Sequence, residues 1–436
     1  MKIAYSHLIK YIPSKPSILD ISEKLFQLGH EHEIHDNFYI MEFTPNRGDC
    51  LSLLGLLRDL NVFYEVNFDF NFFKDEIKPF EFNFINNAKK ACPRISFLLL
   101  EISGEPKPYS GVLKSYFEDL KLNKNNLFTD VSNYIAYETG QPTHCYDAQY
   151  LDNSITLEYI DKPSKFHTLL DTQINLTGNN LVFTKDNKVI NLAGVMGGMN
   201  SACSPNTKSV VVECAFFNQD KIIGKSLKYD IKSDAAYKFE RGVDPLSHER
   251  VLRRFIKLIQ EYVNIDNVQL YKNISHDFNH SKISVDVATI NKILGTSLRE
   301  NEFINNIEKL GFEYEDGTIV VPSHRGDVTS QNDIAEEVAR VIGYNNIPIK
   351  SFTPRSEIAS KNYKNDNLLR SQEQIIKRHL VSYSFFEVIN NPFIASKKEN
   401  SIKIDNPLDS RKRFLRTSLK ESLIKNLLYN ERRQKD

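Results

Sequence analysis

Four carboxylates crowd one short stretch of the sequence, RGDVTSQNDIAEEVAR at 325–340. They are Asp327, Asp333, Glu336 and Glu337. Hard oxygen ligands of this kind suit Mg²⁺, and a pair of carboxylates can also serve as general acid and general base. The third alternative is a capped surface helix. The residue types and their spacing leave these three alternatives open.

The same stretch carries a pattern for the start of a helix. Asp333 as the N-cap and Glu336 three residues later would form a capping box. Glu336 also lies four residues before Arg340, a spacing that favours an ion pair along a helix. Capping would compete with metal binding, because a carboxylate oxygen that bonds the backbone is not free for an ion.

A second group of polar residues lies in SNYIAYETGQPTHCYD at 132–147, and it includes Asn133 and His144. Because His144 closely follows Pro142, we expect it on a loop. A lone histidine there is either a hydrogen-bonded surface residue or a catalyst. A nucleophile–base dyad of His144 with Cys145 is not expected, since adjacent side chains point apart.

Three glycines follow a predicted strand in NLAGVMGGMNS at 191–201. The segment lacks the Lys-Ser/Thr pair of a phosphate-binding P-loop. One interpretation is a tight loop between strands. The other is a wall at Gly197 and Gly198, where the backbone comes as close to a ligand as only glycine permits.

Glu213 interrupts the apolar run SVVVECAF at 209–216. A carboxylate that is buried without a partner is costly. We therefore expect Glu213 either to accept a structural hydrogen bond or to point into a pocket, where it would orient a water or a substrate group. The sequence does not decide between these alternatives.

The elements that must position these residues form an α+β pattern. Short apolar runs predict strands, and apolar residues at helical spacing predict helices. Neighbouring strands can pair through short turns, which predicts a largely antiparallel sheet. The predicted strands are 38–43, 94–102, 154–160, 181–185, 188–194, 209–216 and 385–394, and the predicted helices are 110–121, 218–229, 245–264 and 410–436.

Changes in composition divide the chain into several parts. Residues 1–65 indicate a small mixed unit, in which Asp49 is expected to cap the helix after TPNRGD. No internal repeat is evident. The remaining parts are an extended, aromatic-rich linker at 66–90, the α+β domain at 91–272, a helix-rich unit at 280–350 and an incomplete domain at 360–436.

The bulk composition is that of an ordinary globular protein. The 436 residues suffice for about two to four domains, and a formal net charge of +0 provides no global attraction to nucleic acid or membrane. The five cysteines form no C-x-x-C pair, which disfavours zinc and fits a reducing compartment. With no secretory signal and no membrane-spanning run, we expect a cytoplasmic protein without membrane contact.

Seven motifs, in their order along the chain, resemble one family, the beta subunit of bacterial-type phenylalanyl-tRNA synthetase. The resemblance covers nearly the whole chain. The motifs are FTPNRGDCLSLLGLLRDL, TDVSNYIAYETGQPTHCYD, NLAGVMGGMNS, VVECAFF, SDAAYKFERGVDP, VPSHRGDVTSQNDIAEEVARVIGYNNIP and SFFEVINNPF followed by NPLDSRKRFLRTSL.

The resemblance implies an α₂β₂ enzyme that charges tRNA(Phe) with phenylalanine, using ATP and Mg²⁺. The aminoacylation site would lie on the alpha subunit. Residues 91–272 would be an editing domain that hydrolyses mischarged Tyr-tRNA(Phe). His144 and Asn133 would position water and ester, Gly197 and Gly198 would form a glycine wall, and Glu213 would contact the tyrosine hydroxyl.

The resemblance also implies roles for the rest of the chain. Residues 280–350 would be a winged-helix-like module that binds Mg²⁺ through Asp327, Asp333, Glu336 and Glu337. Residues 360–436 would begin a non-catalytic synthetase-like domain.

Three departures from the family pattern stand out. There is no room for the usual oligonucleotide-binding-fold insertion before FYIMEFTPNRGD, and we expect a chain truncated at its C-terminus, either a fragment or a reduced variant. Cys145 and Tyr146 also replace the usual Ala-Phe pair. Two alternative functions therefore stay open, a stand-alone deacylase acting in trans and a non-enzymatic RNA-binding remnant.

Overall fold

A computed structural model describes residues 1–349 and 370–433 of the chain. The contacts divide the chain into two compact units, Met1–Pro348 and Ile349–Asp436. Helices and several separate sheets alternate along the sequence, in agreement with the predicted α+β multidomain class. Within the described ranges, no helix is long and apolar enough to cross a membrane.

The N-terminal part is a three-stranded antiparallel sheet, in the order β1-β3-β2, with helices packed on it. Its elements are β1 (Lys2–Ala4), α1 (Tyr5–Ile9), α2 (Ile18–Gln27), β2 (Glu31–His35), β3 (Phe38–Glu42) and α3 (Leu53–Leu60). The N-cap of α3 is Ser52, whose Oγ accepts from the Gly55 amide at 2.9 Å. The prediction that Asp49 caps this helix is therefore wrong.

Two five-stranded sheets form the framework between residues 78 and 274. The first has the order β4-β15-β6-β14-β7 and the second has the order β13-β12-β11-β8-β5. Their strands are β4 (Lys78–Pro79), β5 (Asn83–Asn86), β6 (Arg94–Ser103), β7 (Thr143–Asp147), β8 (Ser154–Ile160), β11 (Asn180–Lys185), β12 (Lys188–Leu192), β13 (Met196–Gly197), β14 (Ser209–Phe216) and β15 (Asn264–Ile274), and a separate hairpin consists of β9 (Ser164–His167) and β10 (Gln173–Leu176).

Most strand pairs are antiparallel, as predicted, and the parallel exceptions come from segment 66–90. There β4 joins the first sheet and β5 joins the second. The aromatic packing expected of this segment is confirmed, because Phe80, Phe82 and Phe84 are buried in the core. Its strand pairing was not predicted.

Two apolar cores lie on opposite faces of the first sheet. On one face, Val211 and Ala215 of β14 join the core formed with the second sheet. On the other face, Val210 and Val212 join the core formed with helices. The helices of this region are α4 (Gly111–Leu120), α5 (Leu127–Thr139), α6 (Ala148–Leu151), α7 (Gln219–Ile222), α8 (Lys225–Tyr229), α9 (Asp234–Arg241) and α10 (His248–Gln260).

Two of the predicted helices differ from the structure. The helix predicted at 218–229 is split into α7 and α8, because Gly224 between them has a left-handed φ of +76°. The helix predicted at 245–264 ends at Gln260, since the chain then enters β15, which pairs with β6 along its length.

A third compact core follows at 282–342. Its elements are β16 (Lys282–Ser284), α11 (Val287–Leu294), α12 (Glu300–Lys309), β17 (Glu313–Glu315), β18 (Thr318–Val320) and α13 (Gln331–Ile342), with the sheet order β16-β18-β17. Val62, just after α3, is buried in this core. The N-terminal part and this region are therefore packed together.

The second compact unit is described at 370–433, and part of its predicted range, 360–369 and 434–436, lies outside the described residues. Residues 370–382 are helical. The strand predicted at 385–394 is reduced to β19 (Phe393–Ile394), which pairs with β20 (Phe414–Leu415). The helix predicted from 410 begins only at Lys420, as α14 (Lys420–Glu431).

Candidate functional site

The two sheets bring three of the sequence motifs to one place. His144 on β7 lies opposite Glu213 on β14 in the antiparallel register. Tyr146 shares the His144 face of β7, since successive side chains alternate across a strand. Tyr146 belongs to the core between the sheets, whereas Cys145 belongs to the opposite core. His144 and Glu213 therefore face the second sheet.

His144 lies on a strand and not on a loop, so that prediction is wrong. Pro142 directly precedes β7, and Ser132 Oγ fixes the strand start by donating to the Thr143 carbonyl at 2.7 Å. His144 Nε2 is buried, and among the described residues it has no hydrogen-bond partner. Burial lowers the pKa of His144 to about 4, so its ring is neutral at pH 7.

Glu213 is buried and accepts a hydrogen bond from the protein itself. Tyr146 Oη donates to Glu213 Oε2 at 2.7 Å, and Asn191 Nδ2 donates to the same Tyr146 oxygen at 2.7 Å. Burial raises the pKa of Glu213 to about 7, against the smaller lowering effect of the Tyr146 hydrogen bond. The expected structural hydrogen bond therefore exists, beside His144.

Gly197 and Gly198 both lie directly against other atoms of the protein. A Cβ on Gly197 would overlap Cε1 of His144 and would lie 2.8 Å from its Nε2. A Cβ on Gly198 would lie 2.6 Å from the Ile190 carbonyl oxygen. The Gly198 amide already donates to that oxygen at 2.8 Å, so it is not free to bind a ligand.

The turn between β9 and β10 covers the wall from outside. The Leu169 amide donates to the Gly197 carbonyl at 3.0 Å, and Thr168 bridges to Gly198. The Leu169 side chain is 36% exposed and lies close to His144 and Gly197. Leu169 is thus the part of the site nearest to solvent.

Asn133 is not brought into this group. It is exposed on α5, whose buried side chains belong to the core on the opposite face of the first sheet. Among the described residues, no hydrogen bond joins Asn133 to His144 or to Glu213.

The four carboxylates of 325–340 do not gather around one point. Asp327 and Glu337 both bind the Arg325 guanidinium, Asp327 at 2.9 Å and Glu337 at 2.6 and 2.7 Å. Asp333 accepts from the Ser330 amide at 2.8 Å, and Glu336 is exposed.

The capping prediction for this helix is wrong by three residues. Ser330 is the N-cap of α13, and Asp333 occupies the third helical position that had been assigned to Glu336. The predicted pair of Glu336 with Arg340 is also replaced, because Arg340 binds Glu337 and Asp59. On α13, the buried Glu337 and not the exposed Glu336 therefore forms the ion pair with Arg340.

The arrangement around Arg325 is repeated around Arg47. In each loop of sequence Arg-Gly-Asp, the arginine Nε and Nη2 donate to the aspartate two residues later, all four at 2.9 Å. Each arginine also binds a carboxylate twelve residues later, on the following helix. That carboxylate is Asp59 for Arg47 and Glu337 for Arg325. The expectation that the chain contains no internal repeat is therefore wrong for these two short loops.

Arg340 joins the two Arg-Gly-Asp loops into one buried network. Its guanidinium binds Asp59 at 2.7 Å and also binds Glu337. His30 Nε2 lies 2.7 Å from Asp59 as well. We call this set the arginine network, with members His30, Arg47, Asp49, Asp59, Arg325, Asp327, Glu337 and Arg340.

The comparisons with known proteins find three family models along the chain. A B3/4 domain matches residues 91–264, a tRNA synthetase B5 domain matches 283–344, and a phenylalanyl tRNA synthetase beta chain CLM domain matches 349–436. Together they account for most of the chain. Over most of its length the chain is similar to the phenylalanyl-tRNA synthetase beta subunit.

Curated relatives named phenylalanine–tRNA ligase beta subunit match almost the whole chain. The protein of Hahella chejuensis is 29% identical over 425 residues, which are 93% of this chain and 52% of the relative. The protein of Protochlamydia amoebophila is 30% identical over 422 residues, which are 91% of this chain and 51% of the relative. The chain therefore spans about half the length of the curated relatives it matches.

A solved structure is also similar, the N-terminal fragment of the phenylalanyl-tRNA synthetase beta subunit from Pyrococcus horikoshii. The identity is 14% and the TM-score is 0.46, over 78% of this chain and 99% of that chain.

In this arrangement, the four predicted carboxylates of the B5 domain do not form a site for a magnesium ion. A guanidinium already lies between Asp327 and Glu337. Among the described residues, the three-residue group with metal-ligand geometry is His30, Cys50 and Asp59. Two guanidiniums, those of Arg47 and Arg340, contact Asp59 and would repel a cation there.

Two residues of the B3/4 site, Asn191 and Leu169, were not predicted. Tyr146 was noted as a departure from the family pattern, but its hydrogen bond to Glu213 was not predicted. The alternation of His144 and Tyr146 along THCYD could have indicated Tyr146, had this segment been read as a strand. Asn191 and Leu169 reach the site through pairing between distant segments, for which the sequence carries no local signal.

Proposed function

We propose that the chain acts as a phenylalanyl-tRNA synthetase beta subunit and supports ATP-dependent charging of tRNA(Phe) with phenylalanine. An alpha-subunit partner would carry the aminoacylation site, together with the ATP and Mg²⁺ that this reaction needs. The similarity to curated beta subunits supports this role. We propose that the reaction takes place in the cytoplasm. Co-purification with an alpha subunit and charging of tRNA(Phe) by the pair would test it.

We also propose that the B3/4 domain hydrolyses Tyr-tRNA(Phe). The observation that carries this proposal is His144 Nε2, a buried and unpartnered acceptor beside a buried carboxylate. Buried polar atoms in folded proteins nearly always have partners. An atom of this kind without one is suited to hold a water or a substrate group.

The proposed reaction is the addition of water to the ester carbonyl. The neutral His144 ring accepts a hydrogen bond from the water and takes its proton as the oxygen attacks. The bond between the carbonyl carbon and the ribose oxygen then breaks. The ribose oxygen receives the proton, and tyrosine and free tRNA(Phe) are the products.

The substrate has to reach a site that the turn at Leu169 covers. Because the Leu169 side chain is partly exposed, we propose that this turn is the place of entry. Asn133, exposed on α5, is proposed to contact the substrate only if the tRNA end extends across the edge of the sheet.

The domain assignment proposed here follows the same family relationship. It comprises a mixed unit at 1–65, a segment at 66–90 that supplies strands, an editing domain at 91–272, a winged-helix-like module at 280–350 and the start of a synthetase-like domain at 360–436. The winged-helix-like module is proposed to bind Mg²⁺ through its four carboxylates only if Arg325 leaves Asp327 and Glu337 and if Asp333 leaves its bonds at the helix start.

The hydrolysis proposal is tested by incubating the full chain with Tyr-tRNA(Phe) and measuring the release of tyrosine. The expected result is release well above the rate in buffer, without or with the alpha subunit. Activity without that subunit would favour the stand-alone deacylase. Release at the buffer rate under both conditions contradicts the proposal and leaves the RNA-binding remnant.

A further inference from the structure

The B3/4 site contains a buried phenol beside Glu213, the carboxylate that we expect to contact the hydroxyl of a tyrosyl substrate. The Tyr146 ring is fully buried, and its hydroxyl lies between Glu213 Oε2 and Asn191 Nδ2, at 2.7 Å from each. The ring also packs edge-on against His144, with centroids 4.4 Å apart. The Tyr146 side chain therefore contacts Glu213, Asn191 and His144.

The Tyr146 hydroxyl donates its one hydrogen bond to the Glu213 carboxylate. A tyrosine hydroxyl donates one hydrogen, and here that hydrogen goes to Glu213. Among the described residues, Tyr146 is the only donor to the Glu213 carboxylate. One oxygen of the carboxylate, Oε2, is thus hydrogen-bonded before any substrate arrives.

Selection for a hydroxylated substrate requires a buried polar group of the protein that has no hydrogen-bond partner until the substrate binds. A pocket rejects the ligand that lacks the hydroxyl when that ligand leaves a buried polar group of the protein without a partner. With Tyr146 in place, a phenylalanyl group would leave Glu213 hydrogen-bonded. The preference for tyrosyl over phenylalanyl esters then loses its main physical basis.

We propose that Tyr146 is a specificity-determining residue, whose hydroxyl takes the Glu213 contact from the substrate and lowers the selectivity of the site for tyrosyl esters. This inference rests on the proposed hydrolytic function of the B3/4 domain. It concerns the choice between substrates and not the ability to hydrolyse an ester.

The test is the variant Tyr146→Phe, which removes the hydroxyl and keeps the ring against His144. The ratio of kcat/KM for Tyr-tRNA(Phe) to kcat/KM for Phe-tRNA(Phe) is expected to rise about tenfold or more, because the substrate hydroxyl then gains a hydrogen bond to a charged or polar buried group. In a Glu213→Gln background the same substitution should raise the ratio much less.

The control is Tyr262→Phe, which removes another buried tyrosine hydroxyl, one that donates to the Ser110 carbonyl at 2.8 Å. This control should leave the ratio unchanged. An unchanged or lower ratio in Tyr146→Phe, with hydrolysis still present, overturns the inference and leaves the proposed function standing.

A binding measurement separates the inference from the proposed function. If neither ester is hydrolysed, the proposed function fails, and the affinities for L-tyrosinamide and L-phenylalaninamide decide the inference. Titration calorimetry should then show that Tyr146→Phe binds tyrosinamide about tenfold more favourably, relative to phenylalaninamide, than the wild type does. An unchanged relative affinity, or no binding of either amide, overturns it.

Discussion

Two glutamates with the same burial behave in opposite ways. Glu213 in the B3/4 domain and Glu337 in the B5 domain are each 5% exposed. Burial raises the pKa of Glu213 to about 7, whereas for Glu337 the charges of Arg340 and Arg325 outweigh burial and lower the pKa to about 2. The partner, a phenol or a guanidinium, decides the protonation state.

This difference separates a structural site from a candidate reactive one. In the arginine network each buried carboxylate is paired with at least one guanidinium, so the charges compensate one another and fix the B5 domain on the N-terminal part. Around Glu213 there is no charged partner among the described residues, and His144 has an unpartnered nitrogen. Perturbed groups of the second kind are the ones that mark functional sites.

The largest expected effect is on the network, through Arg325→Met. This variant removes the guanidinium of the half-buried Asp327 and one of the two guanidiniums that bind the buried Glu337. Breaking a buried pair in this way costs about 3–5 kcal/mol. The free energy of unfolding, measured with urea on the full chain, should fall by that amount. The matched control is Arg299→Met, which breaks an exposed pair with Glu302 in the same domain and should cost less than about 1 kcal/mol.

Glu213→Gln should change the pH dependence of stability. An acid whose pKa is raised on folding stabilises the fold fully below its unfolded value, and that contribution is lost as the pH rises through the folded value. Between pH 4.5 and 7 the wild type should therefore lose up to about 3 kcal/mol relative to the variant. Urea unfolding at a series of pH values measures this difference.

Glu337 provides the comparison for that experiment. Its pKa is lowered, so its contribution to stability is present above the unfolded value of 4.5 and is lost as the pH falls through about 2. Titration of His144 affects the wild type and the Glu213→Gln variant alike. Equal pH dependence of the wild type and Glu213→Gln between pH 4.5 and 7 would show that burial does not raise the pKa of Glu213.

Gly197→Ala should have a moderate effect on both stability and hydrolysis. The added methyl group would overlap the His144 ring, and overpacking of this kind costs about 1–3 kcal/mol. Thermal unfolding and the hydrolysis rate should therefore both fall. Gly326→Ala is the control, because a Cβ there meets nothing within 4 Å. Equal stability of the two variants would mean that His144 does not lie against Gly197.

The smallest effect is expected for Asn133→Ala. Its side chain is exposed, so the free energy of unfolding should change by less than about 0.5 kcal/mol. Any loss of hydrolysis in this variant would then come from a lost substrate contact and not from unfolding. A large loss of stability would mean that Asn133 is packed in the fold.

Much of the framework could be predicted from local patterns. The strands at 154–160 and 209–216 match their predicted bounds, because each is an apolar run bounded by polar residues. β15 was missed, since a bulge between Ile265 and Asn267 breaks the alternation that identifies a strand. β7 was missed because it is short and follows a proline, and its hydrogen bonds come from β14, about 65 residues away.

The sequence predicted several residues of the candidate site, but it did not predict which residues they bind. A carboxylate within an apolar run marked Glu213 as unusual. Its bond to Tyr146, however, depends on the register of β7 against β14. The contacts of Arg340 with Asp59 span 281 positions of sequence. The arginine contacts of the carboxylates expected to bind Mg²⁺ are closer in sequence, since Arg325 binds Asp327 two residues later and Glu337 twelve residues later.

The most direct test of the central claim, that the buried site around His144 hydrolyses an aminoacyl ester, is the initial rate of tyrosine release by His144→Ala and by the wild type. Both chains are used in full, with Tyr-tRNA(Phe), and circular dichroism confirms that both are folded. The variant should be slower by about 10²-fold or more. Equal rates above the buffer rate would contradict the account, because hydrolysis would then occur elsewhere.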